Sequence, residues 1–512
     1  MTKREGPCRV LSTTMRSFRK NPHLYEINLL PWLNYLSQRE QRKITLETIP
    51  IHEWSGLKRK GIDLIWLMGA WQRSPDSQEK ARNLPELIKE CRSVLVDFEI
   101  DDITGSPYAV HEYLPDPGFG SVRDLLCLKE TIEDQGLSLI LDFVPNHTAC
   151  DHPWIRQNPT FYIHTGPTGE GRCIDGFFPA QGAQQQVCIA HGKDPYFPPW
   201  TDTAQLDYTN PAAMRAMVDT LSAISQYCHG FRCDMAMLVL KSVFRKTWGR
   251  YVREDANSEE FWRLAIESIK PVRKQCLWLA EAYWGMEQEL IGLGFDYTYD
   301  KTLYDLLKSE DIPGLRTHLN APVAFQERMV RFLENHDELR ASNVFGNDKI
   351  KAAMVIQSTL PGMRFWHHGQ LEGARIRVPI QLRRAPAEPS QRDMEVFSNT
   401  LLQEVDHPVF HDGTWQMCET QGWPDNLSHK GLLSWCWRLG EERRLIVVNF
   451  TSSPAQGRVR LPMNWLPGSR QFLCRDPITD ESYLRSTDEV KTSGLYVGLR
   501  EWGFHFFRAD NT

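Results

Sequence analysis

The 512-residue chain lacks several features that would decide its class at once. No apolar run approaches the ~20 residues of a membrane span, so no membrane partner is expected. Neither sign of charge dominates: 59 Lys and Arg face 65 Asp and Glu, a formal net charge of −6. That balance excludes nucleic acid and anionic membranes as the main partner. Short repeats and low-complexity tracts are absent. Twelve cysteines are present, but none forms a Cys-x-x-Cys pair, which removes zinc-ribbon and thioredoxin-like readings. Scattered in this way, they are expected to be reduced thiols of a cytoplasmic protein. The basic N-terminus has no apolar core of a secretory signal. Its Arg, Ser and Thr content leaves an organelle transit peptide as the alternative.

Aromatic residues, in contrast, are abundant, with 17 Trp. Most are expected in a large core; some suit a sugar site, where flat rings pack on the apolar faces of pyranoses. Eight short apolar runs recur between helix-like stretches. They are LYEINL near the start, Asp63–Gly69, Gly136–His147, Gly230–Met237, Cys276–Trp284, Gly294–Asp300, Arg328–Asp337 and Gly362–Gln370. Continuous apolar strands alternating with helices predict a parallel sheet covered by helices, and eight of them predict a (β/α)8 TIM barrel, an α/β fold. Two regions break the rhythm. Residues 148–205, rich in Pro, Gly, His and aromatics, read as a small irregular insertion after strand 3. From residue 407 to 512, short alternating runs read as a C-terminal antiparallel β-sandwich. The barrel is then residues 1–147 and 206–406.

Polar residues gather where the runs end, as expected of an active site built on the loops after barrel strands. In GFRCDMAM, alternation places Arg232 and Asp234 on one face and Cys233 on the other. Arg232 is expected to lower the pKa of Asp234 and hold it ionised, as a glycosidic nucleophile requires. An ion pair that only braces the barrel is the alternative. Glu281 sits in LWLAEAYW among apolar neighbours; burial there raises a carboxyl pKa, which suits a general acid. FLENHDE supplies Asn335, His336 and Asp337, and LDFVPNHT supplies Asp142, Asn146 and His147. Each alone also reads as a structural strand-end or loop residue.

Together, the four segments resemble the signature segments of the α-amylase family of glycoside hydrolases: Asn-His, Gly-x-Arg-x-Asp, a Glu, and Asn-His-Asp, in that order. TAQLDYTNP resembles the family's additional segment. GSPYAVHEY resembles the loop that supplies an aromatic platform. The resemblance implies Asp234 as nucleophile, Glu281 as general acid/base and Asp337 as transition-state stabiliser. It implies that Arg232, His147 and His336 hold the reacting sugar, Asp142 supports the site and Tyr108 stacks beneath the ring. The implied partner is an oligo- or polysaccharide of the α-glucan type. The implied reaction is retaining double displacement, with water or a second sugar as acceptor. A non-catalytic glycan-binding protein is the remaining class.

The chain departs from the family pattern at two places. Met237 and Leu238 stand where many amylases carry Lys-His. His367 and His368 replace the commoner residues after strand 8; as neighbours on a strand they point apart, which argues against a zinc site. No cofactor is expected to be required. Some members bind calcium between barrel and insertion, and Asn146 and Asp207 occupy comparable places, but two oxygen ligands fall short of the six to eight that calcium takes. The Gly-rich stretch Gly166–Gly171 lacks a following Lys-Ser/Thr and reads as a loop.

Overall fold

A computed structural model describes residues 18–167, 172–181, 186–251 and 259–511. Most of the basic N-terminus and most of the Gly166–Gly171 stretch lie outside them. The eight apolar runs form a closed parallel barrel whose strands follow chain order around the ring: β1 (His23–Asn28), β2 (Leu64–Met68), β3 (Ser138–Phe143), β4 (Gly230–Cys233), β5 (Leu277–Ala280), β6 (Tyr297–Tyr299), β7 (Met329–Arg331) and β8 (Met363–His367). β8 pairs back to β1. The strands read as unbroken apolar runs because both faces are covered: every residue of β2 is buried, between barrel interior and helices. β4 begins at Gly230 for a packing reason. A Cβ there would stand 2.5 Å from the Leu277 carbonyl of β5, so only glycine lets the two strands pair at this register.

The insertion after β3 is pinned at its base by His147–Ala149 pairing antiparallel with Thr203–Gln205. Within it stands a three-stranded antiparallel sheet of His164–Thr165, Gln186–Ala190 and Phe177–Gln181. Cys173 and Cys188 are joined there by a disulfide, with Cα atoms 5.5 Å apart. The expectation of thiols reduced throughout therefore fails at this pair. Spacing in sequence carries no sign of it, because the sheet is what brings the two residues within bonding reach.

The C-terminal region is a sandwich of two antiparallel sheets. The larger has six strands in the order Thr414–Met417, Leu432–Leu439, Glu442–Asn449, Phe504–Asn511, Gln471–Asp476 and Glu481–Ser486. The smaller has three: Glu419–Gln421, Ala455–Arg460 and Leu495–Leu499. Alternation along Leu432–Leu439 divides the labour. Leu432 and Cys436 face the smaller sheet, while Leu433, Trp435 and Trp437 join the barrel core. Trp435 Nε1 donates to Thr359 Oγ1 (3.2 Å) and Trp437 Nε1 to the Thr359 carbonyl (2.7 Å), so both indoles meet a polar partner at the end of a buried barrel helix. Among the described residues no helix is long and apolar enough to cross a membrane.

Candidate active site

The ladder between β3 and β4 sets Arg232 beside Asp142. Backbone bonding continues past both strand ends: Asp234 N donates to the Phe143 carbonyl (2.8 Å) and Glu281 N to the Cys233 carbonyl (3.0 Å). Asp234 and Glu281 are thus held by main chain one residue beyond β4 and β5. Arg232 is fully buried. Its Nη1 donates to Asp234 Oδ1 at 2.7 Å. Its Nη2 lies 2.7 Å from Glu281 Oε2, an ion pair whose angle is poor for a hydrogen bond. Asp142 Oδ1 stands 3.6 Å from Nη1. The rings of Trp66, Tyr108 and Tyr299 box the guanidinium, with centroids 4.9, 5.3 and 5.7 Å away. One cation, enclosed by aromatic faces, holds three carboxylates.

That ratio governs ionisation. Burial is the largest influence on each acid, and one guanidinium does not offset it for three. Asp142 rises to about 6 and Glu281 to about 6. Asp234 also lies above the ordinary aspartate value: burial pushes it up, and Arg232 pulls against that without reversing it. Contrary to the expectation that Arg232 lowers it, Asp234 is raised, because burial outweighs a guanidinium that also serves Glu281 and Asp142. Glu281 is further fixed by Tyr283, whose hydroxyl donates to Oε1 (2.7 Å), and by the Met235 amide, which donates to Oε2 (2.7 Å). Asp142 is used internally: Trp66 Nε1 and the Gly69 amide each donate to its carboxylate at 3.1 Å.

Across the mouth, His336 is buried between two acids. Its Nδ1 meets Glu26 Oε1, and its Nε2 lies 2.8 Å from the Tyr108 hydroxyl and 3.2 Å from Asp337 Oδ2. Burial alone strips a proton from imidazole; Asp337 and Glu26 outweigh it and hold the His336 pKa well above the ordinary value. For Asp337 desolvation pushes upward, yet His336 dominates and lowers it to about 2. Asp337 is the most open of the acids, its side chain 53% exposed. The Tyr108 ring lies nearly parallel to His336, centroids 5.4 Å apart.

The mouth of the barrel therefore holds two acids near 6, of which Asp142 is tied up by Trp66 and Gly69 while Glu281 stands at a strand end, and one acid, Asp337, locked in its anionic form, a division that suits a general acid and an electrostatic stabiliser. Comparison with known proteins decides the family. Residues 57–377, more than half the chain, match the family model described as alpha amylase, catalytic domain. The chain belongs to the α-amylase family. Alpha-amylase 3 of Dictyoglomus thermophilum is 24% identical over 286 residues, 53% of this chain and 54% of that protein. The amino acid transporter heavy chain SLC3A1 of Rattus norvegicus is 28% identical over 148 residues, 26% of this chain and 22% of that protein. The match thus spans about half the length of the Dictyoglomus relative and less of the rat one. Among solved structures, the noncanonic maltogenic alpha-amylase AmyB of Thermotoga neapolitana superposes with a TM-score of 0.67 at 18% identity, over 96% of this chain and 99% of that one, which shows the shared fold.

The family's calcium position is built differently in this chain. Asn146 Oδ1 accepts from Gln205 Nε2 (3.0 Å), and Asp207 Oδ1 accepts from the Thr209 amide (2.9 Å) and hydroxyl (2.6 Å). Among the described residues no group of three or more His, Cys, Asp or Glu is arranged to hold a metal. The Asn146 and Asp207 side-chain oxygens are thus engaged within the protein. His147 is buried beside Trp200, ring centroids 5.3 Å apart, under the Gly192 segment of the insertion. Burial drops its pKa to about 4, so it stays a neutral imidazole at pH 7. Met237 and Leu238, in place of the family's Lys-His, are buried in the turn after the nucleophile position. His367 is buried with its Nδ1 3.0 Å from Glu334 Oε1, while His368 is exposed.

Sequence reasoning missed four participants. Glu26 lies in the apolar run of β1 and is completely buried, an acid in a strand that signals a partner elsewhere. Trp66 and Tyr299 read as core aromatics, and only barrel closure turns them onto Arg232. Met235 adopts a left-handed backbone, φ 41°, in the residue after Asp234. That costs a non-glycine residue of order 1–2 kcal/mol, and the conformation aims its amide at Glu281.

Proposed function

We propose that the chain is a retaining α-glycoside hydrolase acting on α-glucans or maltooligosaccharides. The observation that carries this reading is the single buried guanidinium bridging Asp234 and Glu281 at adjacent strand ends, with Glu281 raised to about 6. Retaining enzymes need two carboxyls ~5 Å apart, one nucleophilic and one protonated. In this mechanism Glu281 gives its proton to the leaving oxygen as Asp234 attacks the anomeric carbon. Glu281, now ionised, takes a proton from the acceptor as the glycosyl-enzyme breaks down. Asp337, locked as an anion, stabilises positive charge on the sugar. His336 and His147 hold its hydroxyls, and Tyr108 lines the pocket they form.

The lip beyond Glu281 bears on the acceptor. Trp284, three residues on, is 37% exposed and meets Tyr196 edge-on at 4.9 Å; Tyr196 and Phe197 are more exposed still. An apolar aromatic lip holds a sugar better than it holds water, which favours transglycosylation as the second reading. A third reading is a non-catalytic glycan-binding protein; the partial match to a rat amino acid transporter heavy chain keeps it in view. Against it stand the three carboxylates, Arg232 and both histidines, all present in one constellation. The Cys173–Cys188 pair favours an oxidising compartment over the cytoplasm first expected.

The test is to incubate the protein and an Asp234→Asn control with maltooligosaccharides, soluble starch, sucrose and trehalose, and to separate the products. New reducing ends absent from the control support the hydrolase. Lengthened or isomerised glycans move the reading to transglycosylase. Glycan binding without turnover supports the glycan-binding protein.

A further inference from the structure

An aromatic pair, Trp423 and Tyr496, stands over the outer face of the smaller C-terminal sheet, a region the mechanism above does not use. Alternation along the strands turns Val459, Leu495 and Val497 into the sandwich core and leaves Arg458 and Tyr496 facing outward. Tyr496 is 46% exposed although its tip is tied down. Its hydroxyl donates to Gln456 Oε1 on the neighbouring strand (2.9 Å). The ring crosses the backbone at Gly498, where an added Cβ would stand 3.2 Å from the hydroxyl oxygen and 3.9 Å from Cε1. Glycine at this position lets the phenol lie along the sheet, so what it offers to water is a ring face. Trp423 is partly exposed beside it, with ring centroids 6.2 Å apart and planes inclined by 57°. A tight turn sets the indole: Trp423 N donates to the Asn426 carbonyl (3.3 Å) and Asn426 N to the Trp423 carbonyl (3.0 Å). Two ring faces fixed in this way and left open to solvent mark a binding surface.

We infer that this face binds a segment of α-linked glucan, one glucose unit on Trp423 and a neighbouring unit on Tyr496. The inference rests on the substrate class proposed above and gives the chain a second hold on the same polymer, outside the barrel. The surrounding groups suit a neutral ligand. Arg458 Nη1 is engaged with the Gly494 carbonyl (3.3 Å), and Arg460 with Gln421 Oε1 (2.9 Å) and the Thr492 carbonyl (2.8 Å), so the nearby cations are held by neutral oxygens of the protein. The amides of Gln421 and Gln456 flank the rings with groups that bond hydroxyls. The inclination of the rings carries the choice of linkage. A β-1,4-glucan is a flat ribbon and calls for coplanar platforms, whereas an α-1,4-glucan coils and turns neighbouring pyranose faces at an angle to one another.

The test is electrophoresis of the full chain through native gels containing amylopectin, hydroxyethyl cellulose or no polysaccharide. Amylopectin is expected to retard the parent, and hydroxyethyl cellulose to leave it unchanged. Trp423→Ala and Tyr496→Ala are each expected to weaken the amylopectin Kd by about tenfold. Both are expected to lower kcat/KM on amylopectin and to leave kcat/KM on maltotriose as in the parent. Trp423→Ala lies in a surface turn and serves alone if the strand variant does not fold. A parent that hydrolyses maltotriose but is not retarded by amylopectin overturns the inference alone. Equal retardation by hydroxyethyl cellulose, retardation unchanged in the variants, or maltotriose turnover lost in step with binding overturns it too. So does a change of oligomeric state in the variants on size exclusion, which makes the face a contact between copies of the chain. A parent retarded through Trp423 and Tyr496 that turns over none of the glucans overturns the proposed hydrolase and leaves this binding face standing.

Discussion

The acids of the two halves of the barrel mouth shift in opposite directions, although burial pushes all of them upward. On the β3–β5 side, Asp142, Asp234 and Glu281 share the single cation Arg232, and all three rise. On the side built from β1, β7 and β8, acids and bases are matched. Glu334, pushed up by burial, is brought below its ordinary value by Arg340 and His367. His336, held between Glu26 and Asp337, lowers Asp337 to about 2. Burial is common to both halves, so the ratio of cations to carboxylates sets the sign of each shift. The contrast separates a proton donor from a permanent anion inside one cleft.

The largest effect expected from breaking this arrangement is at two of the acids that share Arg232. Asp234→Asn removes the proposed nucleophile and is expected to lower kcat by at least ~10³-fold in a reducing-sugar assay, with Glu281→Gln close behind at about 10²–10⁴-fold. Next is the matched half. Glu26→Gln takes away the buried partner of His336, so its pKa falls. Catalysis is then expected to drop about tenfold or more and to decline further as pH rises through the lowered His336 value, while Glu26→Asp recovers part of the loss. A pH–rate profile of both variants checks this.

Stability sharpens the contrast in a smaller way. Glu281 has a folded pKa of about 6 against the ordinary glutamate value of 4.5, so the folded protein holds a proton that the unfolded chain has released between those values. Its contribution is fully present below pH 4.5 and is lost as pH rises through 6, which makes the ionised acid a liability at pH 7. Glu281→Gln is therefore expected to be more stable than the parent at pH 7 by about 1–2 kcal/mol, and not at pH 4, as denaturant unfolding at the two values measures. The smallest expected change comes from Tyr283→Phe. Removing the hydroxyl that bonds Glu281 Oε1 favours its protonated form, so the alkaline limb of kcat/KM, near pH 6 in the parent, moves up by roughly 0.5 unit. A limb that stays put or moves down removes Tyr283 from the account.

The barrel was legible because each strand is an apolar run buried on both faces, a one-dimensional pattern that any α/β barrel must write into its chain. Asp142, His147, Arg232, Asp234, Glu281, His336 and Asp337 stood out for the converse reason: charge and imidazole do not belong at the ends of such runs unless they are used. Glu26 carried the same signal and passed unnoticed, since the partner that its carboxylate meets among the described residues, His336, lies 310 positions away. The Cys173–Cys188 pair gave no signal at all.

By itself the sequence determined which segments become strands, their parallel order around the ring and which side chains stand at the strand ends. Period and polarity are local properties, and a closed barrel leaves them little freedom. Only the tertiary structure decided what those side chains do to one another. A pKa depends on every charge within a few ångströms, and barrel closure brings Arg232 to three acids and His336 to two. The same closure turns Trp66 and Tyr299 onto the guanidinium, and the folding of the insertion joins two cysteines. The sign of the Asp234 shift, read wrongly from its arginine neighbour two residues away, is settled by burial in the closed barrel, with Asp142 and Asp337 adding to it.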